Sequence, residues 1–312
     1  MKKLVILDGK CIIQNDLNFN NFTKVCNVRY FDRTDKNKII DNINDAEIVL
    51  TNKTPIDKEI LDKCKNIKFI SVLATGYNVV DVEYANKLNV IVSNVPAYST
   101  ESVVQHTFAL ILDLFSKISI HNSAVKNGKW AETSDFSLMV DKTYELKGKT
   151  LGIIGYGSIG KRVAEVARAF GMNVVINTRT PVEDSVDLQT LLANSDVISL
   201  HCPLTNSNFH LINSETLKYV KDNAIIINTA RGSLIDEEAI ARALNDDKLG
   251  GYACDVLSQE PPTENIPLFG AKNCIITPHI AWATKEARSR LIDITYQNVL
   301  AYISGNPINI VN

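Results

Sequence analysis

Leu151-Gly-Ile-Ile-Gly-Tyr-Gly-Ser-Ile-Gly160 is the stretch whose reading decides the fold. Its first four residues, 151–154, are an apolar run of the length of one buried strand. Gly155, Gly157 and Gly160 then space out a G-x-G-x-x-G turn, and helical periodicity follows from Ile159 to Phe170 until Gly171 stops it. Strand, glycine turn and helix in that order suit a pyrophosphate. The first glycine makes the tight turn, the second lets backbone N–H groups approach the phosphates, and the third lets helix and strand pack closely. The helix start then faces the anion with unpaired N–H groups. A G-x-G-x-x-G alone also occurs as a bare structural turn; the strand before it and the helix after it select the dinucleotide reading. The expected contacts are Gly155, Tyr156, Gly157, Ser158, Ile159 and Gly160. A nucleotide-binding domain therefore starts in mid-chain.

Working outward, residues 1–98 alternate apolar strands (4–7, 47–50, 69–73, 90–93) with helix-like pieces (36–43, 57–63). Residues 16–27 are rich in asparagine and yield no element. After the glycine turn, strands are expected at 173–177, 196–201, 224–228, 251–255 and 274–277, and helices at 187–193, 214–220 and 236–244. This alternation implies parallel α/β sheets. Ser99 caps a long helix from 100 to about 118 whose apolar positions wrap most of its circumference, as in a buried connector and subunit contact. Residues 121–149 are irregular, which suits a functional or interfacial segment. A last helix spans 285–303, and 308–311 can return the chain to the first domain. The expected architecture is two Rossmann-like, doubly wound parallel-sheet α/β domains with a cleft between them. Residues 1–98 plus 287–312 make a discontinuous substrate domain, and 99–286 the dinucleotide-binding domain.

Size and composition agree. A chain of 312 residues has room for two domains, and 45% hydrophobic with 22% charged residues is ordinary for a globular protein. A formal net charge of -2 gives no reason to expect nucleic acid or an anionic membrane as partner. No apolar run approaches the roughly 20 residues of a membrane span. The N-terminus carries Asp8 where a signal peptide needs apolar residues, so it reads as a first strand and a cytoplasmic location is expected. The six cysteines form no C-x-x-C pair and match no zinc signature; buried reduced thiols and no metal site are expected.

Three polar residues stand just beyond the carboxyl ends of expected strands: Arg231, Glu260 and His279. In an open α/β sheet, ligands bind in the crevice outside those ends. Arginine offers a planar fork for a carboxylate, histidine a proton near neutral pH, and a neighbouring carboxylate orients the ring. Singly, each also reads as a loop arginine, a solvated loop acid and a histidine at a helix start; three at equivalent topological positions favour chemistry beside a nicotinamide. His106, His121, His201 and His210 read as structural or peripheral. NAD-preferring sites place an acid about 20 residues past the glycine turn, to accept the ribose hydroxyls. Here that position is Thr178 (178 − 155 = 23), followed by Arg179, so a 2′-phosphate meets no repulsion and NADPH is expected to be accepted at least as well as NADH.

The strings Leu200-His-Cys-Pro-Leu-Thr205, Asn228-Thr-Ala-Arg-Gly232, Asp255-Val-Leu-Ser-Gln-Glu-Pro261 and Thr277-Pro-His-Ile-Ala281 resemble the D-specific 2-hydroxyacid dehydrogenase family, and so does Ala74-Thr-Gly-Tyr-Asn78. Asn94-Val-Pro-Ala-Tyr-Ser-Thr100 and Trp282 resemble the branch acting on hydroxypyruvate and D-glycerate. The resemblance implies hydride transfer between NAD or NADP and a small 2-keto acid, most simply hydroxypyruvate, with glyoxylate or another short 2-keto acid as alternative. It implies that Arg231 binds the substrate carboxylate and keto oxygen, that His279 is the acid–base residue and that Glu260 is its charge partner. It places the cofactor against Cys202, Pro203, Thr229, Ala230 and Asp255, the last through the nicotinamide amide. It places the substrate against Ala74, Thr75, Gly76 and Trp282, and implies a homodimer built around the long helix. A nucleotide-sensing binding protein that kept the fold is the reading from another class; the intact Arg231, Glu260 and His279 set disfavours it.

Overall fold

The computed structural model describes residues 1–183 and 185–312. They form two compact units, Met1–Ser99 with Trp282–Asn312, and Thr100–Ala281.

The first unit carries strands β1 (Lys2–Ile6), β2 (Cys26–Tyr30), β3 (Ile48–Thr51), β4 (Phe69–Val72) and β5 (Ile91–Ser93), with helices α1 (Lys10–Ile13), α2 (Ile39–Ile43), α3 (Lys58–Lys63) and α4 (Val82–Lys87). All strands are parallel, in the order β2-β1-β3-β4-β5. Parallel strands buried on both faces read as unbroken apolar runs, and Leu4, Val5, Ile6, Ile48, Val49 and Leu50 are all fully buried. The asparagine-rich stretch holds a 3-10 turn, Asn20–Lys24, and the start of β2, both unseen in the sequence: β2 is an edge strand, buried at Cys26 and exposed at Asn27 and Tyr30, so no apolar run announces it. Asp57 and Asp81 cap α3 and α4 by accepting from Ile60 N and Tyr84 N. The strand order reverses between β1 and β3, and there the Asp8 carboxylate accepts from the N–H groups of Asn52 (2.7 Å), Lys53 (2.6 Å) and Thr54 (2.7 Å).

The second unit opens with α5 (Thr100–Ser116) and α6 (Ile118–Lys126). The expected helix to 118 stops earlier because Lys117 adopts φ 54, and the chain bends by 60° into α6. The irregular segment is accordingly shorter than expected, from 127 to 149. Then follow β6 (Thr150–Ile154), α7 (Ser158–Ala169), β7 (Asn173–Asn177), α8 (Leu188–Asn194), β8 (Val197–Leu200), β9 (Ile225–Asn228), α9 (Glu237–Asn245), β10 (Gly251–Cys254) and β11 (Cys274–Ile276). The helix expected over 214–220 is a single 3-10 turn, Thr216–Tyr219. The sheet is parallel throughout, in the order β11-β10-β9-β8-β6-β7, with its reversal between β6 and β8. Apolar side chains from α5 and α7, among them Phe108, Ile111, Val163 and Ala164, cover one face; Leu191, Ile240 and Leu244 from α8 and α9 cover the other. Among the described residues, no single helix is long and apolar enough to cross a membrane; α5 and α6 reach that composition only as a bent pair.

The chain ends in the first unit with α10 (Lys285–Ile303), capped by Thr284 on Ala287 N, and a tail that bridges Ile310 to Ser93 of β5. The expected boundary at 286/287 and the observed one at 281/282 differ because Trp282 packs edge-on against Tyr98 of the same unit, with ring centroids 6.4 Å apart.

Candidate active site

The glycine turn joins β6 to α7 at the switch point of the second sheet. Gly155 has φ +96, and a Cβ there would lie 2.5 Å from the N atom of Cys202, so the loop after β8 passes directly over it. A Cβ on Gly160 would meet the Gly155 carbonyl oxygen at 2.1 Å, which is the close helix–strand packing the third glycine serves. Gly157 is different. Its φ is -80, an ordinary value, and a Cβ would have no protein atom within 4 Å. Neither strain nor packing accounts for glycine at 157, and its absent side chain leaves the backbone open to a ligand. Gly157 is also the N-cap of α7, with no side-chain cap and no acid in the first turn, so the positive helix end stays available to an anion. Ser158, Ile159 and Gly160 supply that first turn, and Tyr156 lies under Lys161, 6.0 Å from Nζ to ring centroid.

Cys202 and Pro203 follow β8 on the other side of the switch point, where Asn208 Nδ2 donates to Pro203 O at 2.8 Å. Burial pushes the Cys202 thiol up, so the sulfur stays protonated. Thr178 and Arg179 follow β7, with Thr178 half-buried and Arg179 exposed. These residues fit a dinucleotide: a glycine with space above it, an uncapped helix N-terminus and no carboxylate against the phosphates.

The residues expected to carry acid–base chemistry are built on the neighbouring strand ends. After β9, the buried Asn228 folds the chain by accepting from Ala230 N (3.0 Å) and donating to Arg231 O (2.9 Å). Thr229 is tied to α5 through the Thr107 hydroxyl at 3.2 Å. Arg231 is exposed, its Nη1 donating to Ala230 O at 2.7 Å. Gly232 lets the loop after β10 lie against it, since a Cβ would sit 1.9 Å from the carbonyl carbon of Leu257. That loop carries Glu260, whose Oε1 accepts from Leu257 N at 3.0 Å and whose Oε2 lies 2.5 Å from His279 Nδ1. His279 itself has φ 55, a left-handed conformation that needs support from its surroundings.

The support comes from Asp255. Its carboxylate, 1% exposed, accepts from Thr277 Oγ1 (2.7 Å), Ile280 N (2.8 Å) and Ala281 N (2.7 Å). The 277–281 loop is thus wrapped around one buried anion, and a contact from Asp255 to a nicotinamide amide would come in addition to these bonds. The sequence reading set His106 aside as structural or peripheral. In the structure its Nε2 lies 2.9 Å from Thr277 Oγ1 and 3.6 Å from Asp255 Oδ1, beside the 277–281 loop. The Thr277 proton goes to the carboxylate, which can only accept, so Nε2 of His106 must be the protonated nitrogen. Nothing in the sequence shows that one histidine on a buried helix meets a loop 171 residues away.

In the first unit, the expected substrate segment runs on from β4. The carbonyl of Leu73 accepts from Asn52 Nδ2 (2.6 Å), that of Ala74 from Val95 N (3.0 Å), and that of Thr75 from Asn94 Nδ2 (2.8 Å). Among the described residues, the N–H groups of 74–78 donate to no protein acceptor. Trp282 lies in the same unit, against Tyr98.

A dinucleotide-binding sheet that presents a histidine–carboxylate pair at its strand ends defines a nicotinamide-dependent oxidoreductase. Residues 108–281 match the family described as D-isomer specific 2-hydroxyacid dehydrogenase, NAD binding domain. The hydroxypyruvate reductase of Blautia hydrogenotrophica is 43% identical over 320 residues, covering 99% of this chain and 99% of that protein. The glycerate dehydrogenase of Methylorubrum extorquens is 39% identical over 313 residues, again covering 99% of both. A D-lactate dehydrogenase from Aquifex aeolicus, solved with NAD and lactic acid, superposes with a TM-score of 0.84 at 31% identity over 99% of each chain. The chain belongs to the D-isomer specific 2-hydroxyacid dehydrogenase family.

Proposed function

We propose that the protein reduces hydroxypyruvate to D-glycerate, reversibly, with glyoxylate and other short 2-keto acids as lesser substrates. The observation that carries this is the His279–Glu260 pair, 2.5 Å apart on a loop fixed by a buried aspartate, at the carboxyl end of a dinucleotide-binding sheet. Because Nδ1 of His279 faces Glu260, Nε2 is the atom left to pass a proton to the keto oxygen. Glu260 holds the ring in that tautomer and stabilises the imidazolium. Arg231 binds the substrate carboxylate and polarises the keto oxygen, its fork suited to both. The N–H groups of Ala74, Thr75 and Gly76 also bind the carboxylate, and Trp282 shapes the pocket. The bound nicotinamide supplies the hydride; the Gly155–Gly160 turn, Thr178, Arg179, Cys202, Pro203, Thr229, Ala230 and Asp255 hold it. Thr178 and Arg179 allow NADPH at least as readily as NADH.

We further propose that the working form is a homodimer in a reducing, cytoplasmic compartment. The segment after α5 exposes Ile118 (60%), Phe136 (97%) and Met139 (84%), an apolar run that a second copy would cover. None of the six cysteines is paired, and burial pushes Cys254 and Cys274 up to about 12.

The test is to mix protein with NADH or NADPH and hydroxypyruvate, then glyoxylate, and follow nicotinamide absorbance. Higher kcat/KM on hydroxypyruvate is expected. A preference for glyoxylate overturns the substrate, and no oxidation with any short 2-keto acid overturns the function.

A further inference from the structure

The C-terminal tail of the chain holds a ring of three asparagines. Asn94 N donates to Asn309 O (3.1 Å), Asn298 Nδ2 donates to Asn94 O (2.9 Å), and Asn309 Nδ2 donates to Asn298 Oδ1 (2.7 Å). The ring is closed, and its two side-chain bonds fix which end of the Asn298 and Asn309 amides is nitrogen. Asn298 lies fully buried within α10, where asparagine is a poor helix former and a buried amide is costly unless paired. Asn309 has φ 53, the left-handed region that asparagine tolerates better than most residues. Packing alone would be served by an apolar residue at 298. Two branches leave the ring: Asn298 Nδ2 also donates to Ser71 Oγ of β4 at 3.4 Å, and Asn94 Nδ2 donates to Thr75 O at 2.8 Å.

The second branch reaches the substrate segment. A trans peptide is planar, so fixing the carbonyl of one residue fixes the N–H of the next, pointing the opposite way. The three carbonyl contacts, Asn52 on Leu73, Val95 N on Ala74 and Asn94 on Thr75, therefore set the N–H directions of Ala74, Thr75 and Gly76. Those are the three groups assigned above to the substrate carboxylate. Pre-aimed N–H groups bind an anion without having to reorganise, which makes their aim worth affinity.

We propose that Asn94, Asn298 and Asn309 are positioning residues for substrate binding, and that the C-terminal tail acts through them to hold the 74–76 N–H groups in place for a 2-keto acid carboxylate. The inference rests on the carboxylate-binding reading of that segment. The test compares wild type with Asn94→Ala, which removes the Thr75 contact, and Asn309→Gly, which keeps the left-handed backbone and removes only the side chain. KM for hydroxypyruvate and the Ki of oxalate should each rise about tenfold in Asn94→Ala, the scale of one hydrogen bond that orders a charge-binding group. The kcat and the Kd for NAD(P)H should stay unchanged. Asn309→Gly should move KM and Ki the same way by a smaller factor, and the double variant should be no worse than Asn94→Ala, since both act through one branch. Keto-acid turnover with KM and Ki within twofold of wild type in both variants overturns the positioning role alone. A parallel fall in kcat and loss of cofactor affinity would mean general damage and overturn it too. Wild-type protein that shows no competition between oxalate and hydroxypyruvate overturns the carboxylate reading on which it rests.

Discussion

His279 combines a left-handed backbone, a short contact to Glu260 and a neighbouring chain wrapped around Asp255. Under the proposed mechanism it is the member of this group that exchanges a proton with substrate, so His279→Gln should lose roughly 10²–10⁴-fold in kcat, the usual share of acid–base catalysis, at nearly unchanged cofactor affinity. Near-normal turnover would remove it from the mechanism. Thr178 tests the cofactor in the same way. Thr178→Asp places a carboxylate at the end of β7, where it accepts from ribose hydroxyls and repels a 2′-phosphate, so the ratio of kcat/KM for NADH over NADPH should rise at least tenfold. A wild-type protein that barely turns over with NADPH would contradict the assignment at the outset.

His201 makes a prediction about stability. Its Nε2 lies 2.8 Å from Ser199 Oγ, its Nδ1 has no hydrogen-bond partner among the described residues, and burial lowers its pKa from 6.5 to about 3. The unfolded chain binds this proton below 6.5 and the folded one only near 3, so stability falls as pH drops through that window, by up to about 1.4 kcal/mol per pH unit from this residue. His201→Gln should flatten the slope of unfolding free energy against pH between those limits, as read from urea titrations. Equal slopes would mean that the ring is hydrated in the native state. Residue types at strand ends made Arg231, Glu260 and His279 legible in the sequence; His106 was not, because its role comes from a tertiary contact between α5 and the loop after β11.

At the scale of elements, the glycine turn separates two reasons for having no side chain. Gly160→Ala drives a Cβ into the Gly155 carbonyl, so it should destabilise by about 1–3 kcal/mol and lower Tm. Gly157→Ala meets no protein atom within 4 Å and should leave Tm nearly unchanged while weakening NAD(P)H at least tenfold by calorimetry. If Gly157→Ala binds cofactor normally, the phosphates lie elsewhere. Elements whose apolar pattern is continuous, such as β3, β9 and α10, could be read directly. β2 could not, being a half-exposed edge, and neither could the break at Lys117, where a lysine takes a left-handed conformation that no glycine announces.

At the scale of the whole molecule, the two sheets share a strand order: β2-β1-β3-β4-β5 in one and β7-β6-β8-β9-β10, extended by β11, in the other. Both therefore have a switch point, and by topology alone either could take a nucleotide. Strand and helix alternation made two doubly wound sheets legible, but not their strand order or which sheet would be used; the second was decided by glycines at 155, 157 and 160 in one, against a lone Gly9 at the matching turn of the other. NADH titration should accordingly saturate at one equivalent per chain, and two equivalents would show that the first sheet binds as well.

Asp8 gives the physical ground for that asymmetry. Its carboxylate sits on the N–H groups of Asn52, Lys53 and Thr54, at the switch point of the first sheet. A tethered competitor acts at an effective concentration far above that of any free metabolite, and it is never diluted, exported or consumed. The switch point of the first sheet is thus already filled by an anionic side chain of its own unit. If the titration stops at one equivalent, a doubled architecture keeps a single nucleotide address in this way.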